Sequence, residues 1–293
     1  MVDPDTMCDL SVVIPARNEA ATITAQLDAL GTQSWDGSWE VVVVDNGSTD
    51  DTPAVVERAA AANPRVRLVP ATERAGLNHA RNVGIGASRG RSFALCDADD
   101  IVAPGWVAAM GDALAEHPLV TGVLELDRLN PRWLAESRGR GDERGLPTFN
   151  GIFPTVHGNN MGMQRTTWER LGRFDEDVII GSDDVELSMR AWKDGVPVTF
   201  VPDAVVHYRY RSEPSALWRQ GRNYGRSRPL VVRRLREQGL PTPHRIAGWR
   251  SWLWLGAHLP DLRTHEGRAA WVWVAGNRVG QVEGSLRYRT LYL

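Results

Sequence analysis

The 293 residues, 32.5 kDa, hold 42% hydrophobic and 24% charged residues with 28 Gly and 17 Pro, which excludes disordered and fibrous classes and suits one α/β core with an appendage. Two cysteines, Cys8 and Cys96, exclude a disulfide framework or a cysteine metal cluster, and with no basic start followed by an apolar stretch they fit a reducing cytoplasm; the apolar run at 269–275 is about a third of the ~20 residues that cross a bilayer. The net charge of −2 joins an acidic body to a basic tail: residues 209–293 carry 16 Arg against 5 acids and the preceding residues 18 basic against 31 acidic, which argues against general nucleic-acid binding.

Short β-rich runs at 11–15, 41–45, 66–69 and 92–96 read as buried strands, with helical patterns at 20–30, 52–62 and 78–87 between them. Strand–helix–strand at this spacing predicts a parallel, right-handed, doubly wound sheet. A helix should follow Pro104 to about His117, and 119–126 reads as another strand. Residues 130–151, rich in Arg, Gly, Glu and Asp, read as a long surface loop. Order should return at 158–165, followed by helices near 166–171 and 184–192 and short strands at 198–201 and 204–207. From Pro214 the pattern is helical, broken by GLPTP at 239–243.

In a doubly wound sheet the ligand lies beyond the carboxyl ends of the strands. Here those ends are polar: Arg17, Asn18 and Glu19, then Asp45, Asn46 and Ser48, then Asp97, Asp99 and Asp100. In the segment CDADD, Asp97 and Asp99 share one face of a strand with no Lys or Arg beside them in sequence, and adjacent carboxylates repel. A divalent cation, Mg²⁺ or Mn²⁺, accounts for such hard oxygen ligands; a polar turn capping the helix after Pro104 is the plainer alternative. No glycine-rich phosphate cradle is present.

The order SVVIPARNEA, VVVVDNGSTDDT, GLNHARNVGI, CDADD, GNNMGMQRTTWERLGRFDED, GSDDVELSMRAW and VPDAVVHYRYR resembles glycosyltransferase family 2, the inverting enzymes of GT-A fold, over about residues 10–236. The resemblance implies an α/β fold: a Rossmann-like, mostly parallel sheet flanked by helices. A nucleotide-sugar half would cover about 10–100 and an acceptor half 101–236, with a Trp- and Arg-rich helical appendage at 237–293. It implies that Pro15, Arg17 and Glu19 line the nucleotide pocket, that Asp45 accepts a hydrogen bond from the base, that Arg81 lies near the diphosphate or ribose, and that Asp97 holds the ribose or sugar. Asp99 would reach a Mg²⁺ or Mn²⁺ ion, with the strand-end His207 completing its shell or touching the diphosphate. The family usually has Glu then Asp where this chain has Asp183 and Asp184. The resemblance makes Asp184 the base that deprotonates the acceptor hydroxyl; helix capping is the alternative for the pair. Asn160 and Met161 match the acceptor-side strand, whereas Trp168 and Phe174 read as core and Cys96 as inert packing.

The tail holds Trp249, Trp252, Trp254, Trp271 and Trp273 among arginines, and Gly276, Gly280 and Gly284 recur every fourth residue. Three readings stay open for it: contact with a membrane surface, packing on the body, or a homodimer. The expected function is metal-dependent inverting transfer of a sugar from a nucleoside diphosphate to a hydroxyl acceptor, anionic or lipid-linked, in cell-envelope or polysaccharide synthesis, in the cytoplasm or at the inner face of the membrane. The alternatives are a sugar nucleotidyltransferase and a non-catalytic nucleotide-sugar scaffold.

Overall fold

The computed structural model describes residues 7–138, 145–178, 181–244 and 248–292. The first half alternates as expected: β1 (Cys8–Ala16), α1 (Ile23–Gly31), β2 (Trp39–Asp45), α2 (Thr52–Ala62), β3 (Val66–Pro70), α3 (Leu77–Ala87) and β4 (Gly90–Cys96). Every residue of β2 is buried, because helices cover both faces of the sheet and its valine run can be apolar on both sides. β1 pairs in parallel with β2 and with β4, and β3 lies outside β2. The chain therefore crosses over between β3 and β4, and a switch point opens at the carboxyl ends of β1 and β4.

The second half adds β5 (Ile101–Val102), α4 (Trp106–Glu116), β6 (Leu119–Glu125), α5 (Arg132–Ser137), β7 (Thr148–Phe149), β8 (Phe153–Pro154), β9 (Asn160–Gln164), α6 (Arg165–Leu171), α7 (Asp183–Lys193) and β10 (Thr199–His207). The eight-stranded sheet runs β3-β2-β1-β4-β9-β6-β10-β5, and β9 lies antiparallel between β4 and β6. That register sets Asn160 opposite Cys96, so the residues entering β9 face those leaving β4. Three sequence expectations change. The strands expected at 198–201 and 204–207 are one strand, whose register against β6 shifts between Phe200 and Val205 at a local irregularity. The expected loop at 130–151 holds α5 and the β7–β8 hairpin; its residues 139–144 lie outside the described residues. The two-residue β5 had no readable period and exists through its pairing with β10.

The helical end comprises α8 (Pro214–Glu237), α9 (Trp249–Ala257), a 3₁₀ turn (Leu259–Arg263) and α10 (His265–Arg287). The glycine repeat of α10 lets it pack backbone to backbone on α8: a Cβ on Gly280 would lie 2.0 Å from the Arg222 carbonyl oxygen, and one on Gly276 2.7 Å from that of Trp218. Gly225 of α8 makes the reciprocal approach to the Asn277 carbonyl, at 2.0 Å. Arg222 and Arg226 both reach Glu283 at 2.6 Å, closing the pair. The glycine stripe thus serves an intrachain interface.

α8 also sets the start of α7. Ser182 and Ser227 share a hydrogen bond of 2.7 Å, and the Ser227 hydroxyl donates to the Gly181 carbonyl at 2.6 Å. Gly181 adopts φ +70°, and a Cβ there would meet the Tyr224 ring at 2.4 Å, so this turn requires glycine twice over. α9 buries only Leu255 and leaves Trp249, Trp252 and Leu253 exposed. Among the described residues no helix is long and apolar enough to cross a membrane.

The close helix contact predicts that Gly280→Ala lowers stability by about 1–3 kcal/mol, since the obstructing atom is backbone and cannot turn aside. Gly256→Ala, in open space on α9, should be neutral or stabilising. Thermal melting of the two variants side by side checks the contrast.

Candidate active site

The loops after β1 and β2 hold each other. Asn18, at φ 58°, accepts from the Thr49 amide at 2.7 Å through its side chain, and the Ser48 hydroxyl accepts from the Asn18 amide at 2.9 Å. The Thr52 hydroxyl accepts from the Glu19 amide at 2.8 Å, and Asp45 accepts from the Ser48 amide at 3.1 Å. The NGSTDDT segment thereby fixes Asp45 and Glu19 at the switch point. Burial raises the Glu19 pKa, against a hydrogen bond from Thr22, with Asp99 adding like charge.

Beyond β4, carboxylate oxygens of Asp97, Asp99 and Asp100 lie within 4.8 Å of one another. Burial first, against the lowering pull of Arg81, and then the charges of Asp99 and Asp183 push the Asp97 carboxyl up to about 7. Asp99 is paired with Arg211 at 3.0 Å. Asp100 is 1% exposed and acts as a bracket: it accepts from the Asn159 amide group at 2.7 Å and from the Arg209 backbone N–H at 2.8 Å, while the Arg209 side chain donates to the Asp99 carbonyl at 2.9 Å. Burial drives the Asp100 pKa well up, with Asp97 and Asp99 adding to it.

The second acidic pair opens α7, where carboxylates at the first turn suit the helix dipole. The two acids part company. Asp183 forms a buried ion pair with Arg81, whose guanidinium also donates to the Gly158 carbonyl at 2.9 Å. Among the described residues Asp184 has no ion-pair partner: it accepts from the Val185 amide at 2.8 Å and, weakly, from the Gly158 amide at 3.3 Å. Burial and then the Asp183 charge raise its pKa to about 6. Both acids line a cavity of about 1330 Å³ that runs from Arg81 and Asp97, past Gly158 and Tyr208, to Arg219, Tyr224 and Trp273.

Clustered carboxylates after β4 and a second acidic pair lining the cavity match the order of motifs in the sequence. The family model of glycosyl transferase family 2 matches residues 11–172, more than half of the chain, and that of glycosyl transferase family group 2 matches residues 94–275. The chain belongs to glycosyltransferase family 2.

Among curated relatives of this glycosyltransferase, the succinoglycan biosynthesis protein ExoO of Rhizobium meliloti is 37% identical over 199 residues, covering 63% of the chain and 56% of the relative. Glycosyltransferase AglE of Haloferax volcanii is 29% identical over 206 residues, covering 68% and 66%. The chain thus spans little more than half to two thirds of these relatives. The mannosyltransferase PcManGT from Pyrobaculum calidifontis, solved in complex with GDP-Man and Mn²⁺, superposes with a TM-score of 0.67 at 23% identity over 97% of this chain and 89% of that one, which identifies the GT-A fold.

Of the residues expected in this glycosyltransferase's site, Arg81, Asp97, Asp183 and Asp184 line the cavity, while Pro15, Arg17, Glu19, Asp45 and Asp99 lie outside that lining on the switch-point side. His207 does not join the aspartate group; its Nδ1 lies 2.6 Å from Glu125. The acceptor-side assignment of Asn160 and Met161 is corrected: both are fully buried, and the Asn160 amide is bonded to Trp106, Val123 and Ala204. His157, Gly158 and Asn159, just before β9, line the cavity in their place. Trp168 and Phe174 are core, as is Cys96. Sequence reading missed Asp100 as a bracket for Asn159 and Arg209, and Arg211 as the partner of Asp99; the motif HYRYR was the available signal.

The Arg81–Asp183 pair predicts a steep cost for breaking one side. Arg81→Met leaves the Asp183 charge buried alone and should destabilise the protein by about 3–5 kcal/mol; adding Asp183→Asn should recover much of that. Urea melts of wild type, both single variants and the double variant measure the coupling.

Proposed function

We propose that this family 2 glycosyltransferase moves a sugar, with inversion, from a nucleoside diphosphate donor to a hydroxyl acceptor, and that Asp184 is the base. The observation that carries the assignment is the division of labour at α7: Asp183 is paired with Arg81, whereas Asp184 faces the cavity with a carboxyl raised to about 6. A carboxylate so tuned accepts a hydroxyl proton better than an ordinary one and is still ionised at neutral pH. The acceptor oxygen attacks the anomeric carbon as its proton passes to Asp184, and the bond to the diphosphate breaks on the opposite face, so no covalent enzyme intermediate is required.

The aspartates after β4 suit a divalent cation, Mg²⁺ or Mn²⁺: they offer hard oxygen atoms within 4.8 Å of one another, and their excess of negative charge is only partly met by Arg211. Asp97 and Asp99 would hold it. When bound, the cation supplies Lewis-acid neutralisation of the charge that develops on the leaving diphosphate. Asp100 keeps Asn159 and Arg209 in place around them. Family membership favours transfer over the nucleotidyltransferase alternative, and the ExoO likeness supports a role in polysaccharide synthesis. The exposed Trp249, Trp252 and Leu253 of α9, with Arg250 between them, support contact with an anionic phospholipid surface. Cosedimentation with phosphatidylglycerol vesicles at physiological salt, lost in a Trp252→Ser, Leu253→Ser double variant, is the expected outcome.

Two measurements test the reading. Calorimetric titration with UDP, GDP, TDP and CDP, each with and without Mn²⁺, should single out one nucleotide whose binding depends on the metal and weakens in Asp99→Asn. Asp184→Asn should cut transfer by at least about a thousandfold and leave that binding intact. The sign with pH follows from the raised pKa: Asp184 is protonated and inactive below about 6, so the rate should climb through that value and level off above it. The same shift places the cost of ionising Asp184 on the folded state as pH rises from about 4 to 6, so Asp184→Asn should melt no lower than wild type at neutral pH. Full transfer by Asp184→Asn would falsify the base assignment.

A further inference from the structure

The helix α8 carries seven arginines, and their partners divide them into two sets. Arg222 and Arg226 grip Glu283; Arg233 pairs with Glu237 at 2.9 Å; Arg234 reaches Glu186 and Asp175; Arg236 donates to the Leu291 carbonyl at 3.1 Å. Arg219 and Arg228 have no hydrogen bond or ion pair among the described residues, and these two are the ones that line the cavity. They share that face of α8 with Ala216, Gln220, Asn223 and Tyr224, the spacing of one helical stripe.

A third cation stands beside them. The Arg138 guanidinium lies 3.5 Å from the centroid of the Trp273 ring and 4.4 Å from that of Tyr210, and it donates a 3.5 Å hydrogen bond to the neutral Gln220. Aromatic faces hold it, and no carboxylate among the described residues pairs with it. Behind Arg228, Arg278 has a buried Nε without a hydrogen-bond partner, and burial and then the Arg228 charge lower its pKa. The described lining holds four acids, the exposed Glu213 and the Asp97, Asp183 and Asp184 of the reaction centre. The wall that α8 and Trp273 contribute is cationic and aromatic.

We propose that Arg138, Arg219 and Arg228 form an anion subsite on the acceptor side of the cavity, and that the acceptor carries a phosphate or carboxylate group there. This rests on the transfer reading of the site. Guanidinium groups bind both anions through paired N–H donors. A neutral acceptor would leave those donors without a charged partner. Tyr224 and Trp273 supply flat faces for a sugar ring next to the charged group. Two sources share this chemistry: an acidic sugar of a glycan, and the phosphate of a prenyl-linked acceptor.

The test is calorimetric titration of the full chain, saturated with Mg²⁺ and its nucleoside diphosphate, with methyl glucuronide, geranyl phosphate and, as the neutral control, methyl glucoside. We expect at least one anion to bind at least about tenfold more tightly than methyl glucoside, and the Arg219→Gln, Arg228→Gln double variant to lose that advantage with unchanged nucleotide affinity and melting temperature. Geranyl phosphate alone would identify a prenyl phosphate source, and methyl glucuronide alone an acidic sugar. The subsite is overturned if neither anion outbinds the glucoside, or if the double variant retains the preference. Should no nucleoside diphosphate bind, the transfer reading fails separately, and the same anion titrations without nucleotide still decide the subsite.

Discussion

Crowding of negative charge is the constraint from which the rest of this structure follows. Asp97, Asp99, Asp100, Asp183 and Asp184 gather around one crevice, and bringing them there is unfavourable unless cations and N–H donors come with them. The buried Arg81–Asp183 pair joins α3 to the first turn of α7 and leaves Asp184, among the described residues, without an ion-pair partner. Arg211 meets Asp99 from the segment after β10, and Asp100 is held by hydrogen bonds from Asn159 and Arg209. Each acid is handled differently, and the differences set what each can do.

The helical end belongs to the same problem. α7 must present its first turn to the crevice at a fixed angle, and Arg81 of α3 and the Gly158 amide before β9 hold it on one side. α8 holds it, through Ser227 and through the Tyr224 ring against Gly181, and α10 backs α8 along a glycine seam too close to slip. α10, which reads in sequence as part of an appendage, therefore backs the helix that positions the second acidic centre and contributes Trp273 to the cavity wall.

Much of the donor side was legible in the sequence. Buried parallel strands are apolar on both faces and carry their polar residues at the carboxyl end, so the runs ending at Pro15, Asp45 and Cys96 marked both the strands and the candidate donor-side residues. The acceptor side was less legible. Asn160 and Met161 sit in a motif-bearing segment, yet strand pairing on both sides of β9 buries them and leaves the preceding residues to face the cavity. The break between the expected strands at 198–201 and 204–207 is a register irregularity within one strand, which the turn-favouring pair Pro202 and Asp203 disguises.

The sequence by itself determined the family, the doubly wound first half and the identity of the acids, because periodicity, strand ends and ordered motifs are local properties of the chain. Tertiary structure decided which acid is paired and which lines the cavity without a cation among the described residues, where the tail packs, and which arginines, among those residues, have no carboxylate partner. Those outcomes depend on contacts between residues far apart in sequence: Arg81 with Asp183, Asp99 with Arg211, Gly280 with Arg222. A carboxylate's pKa and a cation's need for an anion are set by such neighbours and by burial, and neither is written in the residue or in the few beside it.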